Sequence, residues 1–371
     1  MRNRRVLIDA SNLVVGGGVQ VGASVVDEIL KMQSDQVSLA RWPWLNSVRI
    51  EASPEVLANT TSPGVATQVI EIPRRSRARR IRPRSGDYDV SFVVFGPLYD
   101  APRTKFTIMG FADGISLHPE TALVRHLHEK VFLQIRSRVS RELFSRAGMI
   151  IAESTHVASS LHEIWHIETS RLKVLPNVIN AVFFEPALQS EVTPIHSIIP
   201  TLAFPARAYP HKNLAILGRA GVAYRQLYGE EVRFALTLTP EEWRSLSDST
   251  RRHSFNVGPL KISQIPSFLR QCRGTIFPSL LESFSVTPLE ALAVGSPLLA
   301  SDRDFVRSVV GDCAEYFDPV DPESVARAIR RVLTQPDGSR ISRGRDLIAG
   351  WPSAAARAEQ YVKLIDGANI E

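Results

Sequence analysis

The chain has 371 residues, 44% hydrophobic and 22% charged, with a net charge of +6. That length exceeds what one core usually fills and predicts two domains, and the balance is that of a globular chain. No apolar run reaches the roughly 18 residues that a membrane span needs, and the apolar part of MRNRRVLIDAS is too short for a signal peptide. The two cysteines, Cys272 and Cys313, supply neither a disulfide framework nor a zinc-ligand spacing, which fits a reducing cytoplasm.

Along the chain, short β-branched runs alternate with helical segments. RVLIDAS, TQVIEIP, VSFVVFG, KFTIMG, MIIAES and LKVLP are the predicted strands of the first half; TLAFPAR, VRFALTL, SFNVG, GTIFPS, PLLAS and EYFDP are those of the second. They lack polar alternation, as strands buried on both faces of a parallel sheet do. Helices are expected over VGASVVDEILKMQ, ETALVRHLHEKVFLQIRSRVSRELFSRA, KNLAILGRAGVAYRQL, PLEALAV, PESVARAIRRVLTQ and SAAARAEQYVKLID. This order implies βαβ crossovers and doubly wound α/β domains.

The aperiodic, proline-bearing segment NVINAVFFEPALQSEVTPIHSIIP marks a junction. The expected division is residues 1–185, residues 186–345, and a final helix within 346–371 packing back toward the first domain. Two Rossmann-like domains facing across a cleft would bind ligands at the carboxyl ends of their strands.

Much of the basic excess is local: RRSRARRIRPR, from Arg74 to Arg84, has seven arginines in eleven residues. A like-charge block is usually a solvated loop. Its functional reading is attraction to an anionic membrane surface. Nucleic acid is not the expected partner, because no helix-turn-helix, RNP or zinc-finger pattern accompanies the charge.

Three places carry chemistry. After the first strand, Gly16, Gly17 and Gly18 form a turn whose main chain can approach a ligand. It is not a dinucleotide fingerprint, because the third glycine is wanted at Val21 and comes at Gly22. After TLAFPAR, Arg207 and Lys212 flank a strand-to-helix turn in ARAYPHKNL, a pairing suited to an anion. After GTIF comes LESFSVTPLE, with Glu282 and Glu290 around the start of a short helix. TPLE reads as a capping box, with Thr287 as N-cap and Glu290 at N3 reaching back. That gives Glu290 a structural explanation and leaves Glu282 without one. Gly295 and Pro297 then close the helix. A helix start beside two cations would suit a diphosphate, and a carboxylate there would accept bonds from sugar or ribose hydroxyls.

From about Thr201 to Leu333 the chain resembles the retaining GT-B glycosyltransferases of the large family sharing an E-x7-E signature, family 4. The matching residues are Arg207, Lys212 and Asn213, then Gly258, then FPSLLESFSVTPLEALAVGSPLLASD and GDCAEYFDPVDPESVARAI. The first half resembles it more loosely, through the glycine-rich turn and VLPNV. The resemblance implies a sugar transferred from a nucleotide-diphosphate sugar to a saccharide or lipid-linked acceptor in cell-surface polysaccharide or glycolipid synthesis. Arg207 and Lys212 would bind the diphosphate, Glu290 the ribose hydroxyls, and Glu282 the donor sugar. Phe284, Ser285 and Val286 would contact phosphate or sugar, with Gly258 also on the donor side and Gly17 and Gly18 lining the cleft from the first domain. The anomeric configuration would be retained without a protein nucleophile. No metal and no cofactor are expected, because arginine, lysine and the helix dipole carry the charge.

The chain departs from that pattern in two places. Ser283 and Ser285 stand where glycines usually flank the phenylalanine, and Ala112 stands where a histidine usually precedes Asp113. Asp113 is the expected cleft residue of the first domain, ahead of His118. The expected location is the cytoplasm, with the inner face of the cell membrane as its peripheral setting. A nucleotide-sugar epimerase and a non-catalytic partner of the same fold are the alternative readings.

Overall fold

The structure is a computed structural model that describes residues 4–14, 16–61, 69–71, 87–97, 103–118 and 127–369. It divides into two compact units, residues 1–178 with 352–371, and residues 179–351. The arginine-rich segment at 74–84 lies outside the described residues, as does the start of the helix expected from Glu120.

In the first unit the strands are β1 (Val6–Ala10), β2 (Arg49–Ala52), β3 (Val69–Glu71), β4 (Asp87–Val93), β5 (Arg103–Phe111), β6 (Met149–Ala152) and β7 (Leu172–Val174). They form one parallel sheet in the order β3-β2-β1-β4-β5-β6-β7. The order reverses between β1 and β4, the switch point of a doubly wound sheet, where loops diverge and leave room for a ligand. The loops on either side of that point are tied together: the Asn12 side chain donates to the Phe95 carbonyl at 2.6 Å. Gly16, at φ 69, then admits the chain to the helix Gly17–Ser34.

The last helix, Ala354–Asp366, belongs to this unit. Tyr361, Val362 and Ile365 join the core built from β1, β4 and the helix Gly17–Ser34. It also makes polar contacts from a buried residue: the Arg357 guanidinium donates to Ser24 Oγ at 3.1 Å and to Asn177 Oδ1. Glu153, at the end of β6, is buried close enough to feel that cation. Burial pushes its carboxyl up to about 8, against the pull of Arg357.

In the second unit the strands are β8 (Thr201–Phe204), β9 (Arg233–Leu236), β10 (Ser254–Asn256), β11 (Gly274–Phe277), β12 (Leu298–Ser301) and β13 (Glu315–Phe317). All pair in parallel, in the order β10-β9-β8-β11-β12-β13, so the switch point lies between β8 and β11. The inner strands read as buried throughout, which is why apolar runs without alternation encode them.

Candidate active site

At the second switch point the loops after β8, β11 and β13 and the last residue of β12 are bonded to one another. After β8 the chain makes a 3-10 turn at Pro210–Lys212, ended by Asn213 in the left-handed region at φ 56. Asparagine tolerates that conformation better than most residues. Its side chain donates to the carbonyls of Pro278, at 3.2 Å, and Pro319, at 2.8 Å. The Leu280 N–H donates to the His211 carbonyl at 2.7 Å. Ser301 Oγ donates to the carbonyls of Phe277 and Ser279.

This lacing fixes a charged cluster. Lys212 Nζ lies 2.6 Å from Glu282 Oε1, an ion pair not aligned as a hydrogen bond, with both side chains largely buried. The ammonium also sits 5.5 Å from the Phe277 ring centre. His211 Nε2 is 3.8 Å from Glu282 Oε2, and its ring stacks on Tyr209 with centroids 5.6 Å apart. Burial lowers the His211 pKa; Glu282 opposes the shift and Lys212 reinforces it. The imidazole is therefore neutral at pH 7.

Glu290 is buried, and burial pushes its carboxyl up to about 7, with Lys212 pulling the other way. It does not cap its helix. The helix Thr287–Ala293 starts from Val286, whose backbone is already helical, and no side chain caps it. Thr287 is thus the first helical residue and Glu290 the fourth, one position beyond the reach of a capping box. The expected box at TPLE is absent, and with it the structural explanation for Glu290. Helix closure is as read: Gly295 takes φ 72 and Ser296 N–H returns to Ala291.

Between the two glutamates, the N–H groups of Ser283, Phe284, Ser285 and Val286 donate to no acceptor among the described residues. All four residues are partly buried, and Phe284 packs against the core.

Arg207 is held from the other side of β8. Its Nε donates to Glu242 Oε1 at 2.7 Å, and the same oxygen accepts the Ala208 N–H at 3.2 Å. Glu242 Oε2 accepts the Thr239 N–H at 2.9 Å, while the Glu242 N–H donates back to Thr239 Oγ1. Thr239 and Glu242 thus form a capping box for the helix Pro240–Ser245. The hydrogen bonds to Thr239 N–H, Arg207 and Ala208 N–H hold the Glu242 carboxyl below its usual range, although burial, the largest single influence, opposes them. The terminal nitrogens of Arg207 bond no described residue and remain half exposed, so an anchored arginine presents a free fork. Gly258 follows β10 at φ 83 and donates its N–H to Asn256, whose side chain also binds both main-chain groups of Leu238.

Arg207, Lys212, Gly258, Glu282, Phe284, Ser285, Val286 and Glu290 all lie in the second unit, around the ends of β8, β10 and β11. Gly17, Gly18 and Asp113 lie in the first. Gly17 and Gly18 open their helix beside the first switch point. Asp113 has full structural employment: it caps the helix Gly114–Leu117 through Ser116 and pairs with Arg136 at 2.9 Å. His118 stacks on His156 at 6.1 Å, and burial lowers its pKa. Sequence reasoning missed Glu242 and His211. The first was findable, since TPEE is an S/T-x-x-E start signal; nothing in the sequence marks the second.

Residues 244–345, which include both glutamates, match the family model described as glycosyl transferases group 1. Similar curated proteins include the O-antigen chain mannosyltransferase RfbU of Salmonella typhimurium, 22% identical over 60% of this chain and 60% of that one. Another is the MMP alpha-(1->4)-mannosyltransferase of Mycolicibacterium hassiacum, 24% identical over 76% of this chain and 71% of that one. Among solved structures, a glycosyltransferase of Rickettsia africae superposes with a TM-score of 0.68 at 14% identity, covering 98% of each chain. Anabaena Alr3699/HepE in complex with UDP and glucose gives 0.67 at 14% identity, over 98% of this chain and 100% of that one.

Two parallel doubly wound units with these neighbours define a GT-B fold. In sequence, the matched segment and these relatives make the chain similar to glycosyltransferases. The alignment spans 60% of the length of the Salmonella relative.

Proposed function

We propose that the protein transfers a hexosyl unit from a nucleotide-diphosphate sugar to a saccharide or lipid-linked saccharide acceptor, in the assembly of a cell-surface polysaccharide or glycolipid. Transfer proceeds with retention of configuration and without a metal or cofactor. The observation that carries this reading is the Lys212–Glu282 pair beside buried Glu290, across the switch point of the second sheet.

The diphosphate is held by the Lys212 ammonium and the free fork of Arg207. Lysine has three donors, so Lys212 binds phosphate while keeping Glu282. The open N–H groups of residues 283–286, between the two glutamates, add further donors for that charge. Glu282 accepts from hydroxyls of the donor sugar and Glu290 from the ribose. As the bond to the sugar breaks, negative charge grows on the leaving phosphate, and the two cations stabilise it more in that state than in the ground state. Both relatives are named mannosyltransferases, which makes a mannosyl donor the first to try.

A panel of UDP-, GDP- and dTDP-sugars, mannosyl donors included, tests this by nucleoside diphosphate released with and without acceptor saccharides. Release that requires an acceptor and survives a chelator is expected. If no nucleotide raises the melting temperature and no donor is consumed, the proposal fails.

A further inference from the structure

The helix Leu127–Ser145 of the first unit has two apolar faces, and the fold uses one. Leu133, Ser140 and Phe144 are buried, with the Phe144 ring 5.0 Å from Phe111 and 6.0 Å from Trp165. At about 100° per residue, Val131, Ile135 and Val139 line the opposite side, with Phe132 beside them. These four are 48%, 56%, 52% and 62% exposed. Single apolar residues on a surface need no explanation, but four in one stripe on a nineteen-residue helix do.

The rim of the stripe is cationic. Lys130, Arg138 and Arg141 are exposed and form no ion pair among the described residues. Arg136 flanks the other side, tied to Asp113 at 2.9 Å, and Glu142 is matched by Arg146 at 3.0 Å. An apolar stripe bordered by uncompensated cations is the pattern of a helix lying in a membrane interface. Its side chains enter the acyl boundary while the arginine and lysine stems reach back to the headgroups. A second copy of the chain would bring like-charged rims together, whereas anionic headgroups neutralise them.

We infer that the exposed face of the helix Leu127–Ser145 docks the protein on an anionic lipid surface, through Val131, Phe132, Ile135 and Val139 with Lys130, Arg138 and Arg141 at the rim. The inference does not rest on the arginine-rich segment 74–84, and it stands whether or not the proposed transfer reaction is correct.

The test is cosedimentation of the full chain with vesicles of phosphatidylcholine alone and of phosphatidylcholine mixed with phosphatidylglycerol. The wild type is expected to bind the mixed vesicles, with affinity falling as salt rises. Phe132→Ser with Ile135→Ser should weaken binding by at least about tenfold with the melting temperature unchanged. Arg138→Glu with Arg141→Glu should weaken it and flatten the salt dependence. A Phe132→Trp variant should show a blue-shifted emission on the mixed vesicles. Unchanged binding after Phe132→Ser with Ile135→Ser overturns the inference, as does a wild type that ignores anionic vesicles. A concentration-dependent dimer dispersed by the same two substitutions, without vesicle binding, assigns the face to a second copy and also overturns it.

Discussion

The Lys212 ammonium lies 2.6 Å from the Glu282 carboxylate, two largely buried charges contributed by loops that follow different strands. Removing either partner leaves the other charge buried and uncompensated, which typically costs about 3–5 kcal/mol for a well-buried pair. Lys212→Ala is therefore expected to lower the melting temperature and to reduce acceptor-dependent nucleotide release by about a hundredfold or more. Glu282→Gln should keep more of the stability and lose the rate. Both are read by thermal denaturation alongside a nucleotide-release assay. A Glu282→Gln enzyme with wild-type rate would remove Glu282 from the donor site.

Glu290 titrates at about 7 in the fold, above the ordinary carboxylate value of 4.5. The folded state thus holds a proton that the unfolded chain releases earlier. This group's contribution to stability is complete below about pH 4.5 and is lost as pH rises to about 7. Glu290→Gln should remove that part of the pH dependence, as measured by denaturant unfolding between pH 4.5 and 8. A ribose hydroxyl donates best to the ionised form, so nucleoside diphosphate affinity in the wild type should rise through pH 7 and flatten in the variant. Parallel affinity profiles for the two proteins would separate Glu290 from the ribose.

Arg207 is more than half exposed, so its bond to Glu242 contributes little to stability, on the order of 1 kcal/mol or less. Its effect should fall on binding. Glu242→Ala is expected to cost about 1 kcal/mol through the lost capping box. It should also weaken nucleoside diphosphate binding several-fold, by freeing the fork that the diphosphate needs already oriented. Titration calorimetry with nucleoside diphosphate and with the parent nucleoside makes the comparison. An equal loss for both ligands would show that Arg207 is not aimed at phosphate.

Glu153 is the larger case of the same electrostatics, with its carboxyl pushed up to about 8 by burial despite Arg357. Stability from this group is lost as pH rises from about 4.5 to about 8, amounting to a few kcal/mol at most. Glu153→Gln should match the wild type near pH 4.5 and exceed it in melting temperature at pH 8 to 9. Curves that stay parallel across that window would mean the carboxyl is charged against Arg357 throughout.

Most strands were legible because parallel strands covered on both faces must be apolar at every position, as in GTIF and TLAF. β2 escaped for the opposite reason. RIEA carries Arg49 and Glu51, which pair with each other at 2.9 Å inside the sheet, so its polarity reads as a loop. The helix Gly338–Ala349 was equally hidden behind a glycine, serine and arginine composition.

At the candidate site, the two TPxE tetrapeptides mark how far sequence carries. TPEE at 239–242 forms its capping box because Thr239 is extended, while TPLE at 287–290 does not, because Val286 before it is already helical. One residue of helical backbone, set by the preceding turn, decides whether a glutamate caps a helix or turns inward. Lys212 beside Glu282 is a tertiary fact that no local pattern contains.

The core of the first unit includes Tyr361, Val362, Ile365 and Ala368 from the end of the chain. During synthesis this unit must wait with part of its core open while all of residues 179–351 are made. At roughly 5–20 residues per second, that delay is on the order of ten seconds or more. The second unit, contiguous in sequence, has no such wait. The first to be translated is therefore the last to close, and its unfinished core is the surface that a ribosome-bound chaperone would meet.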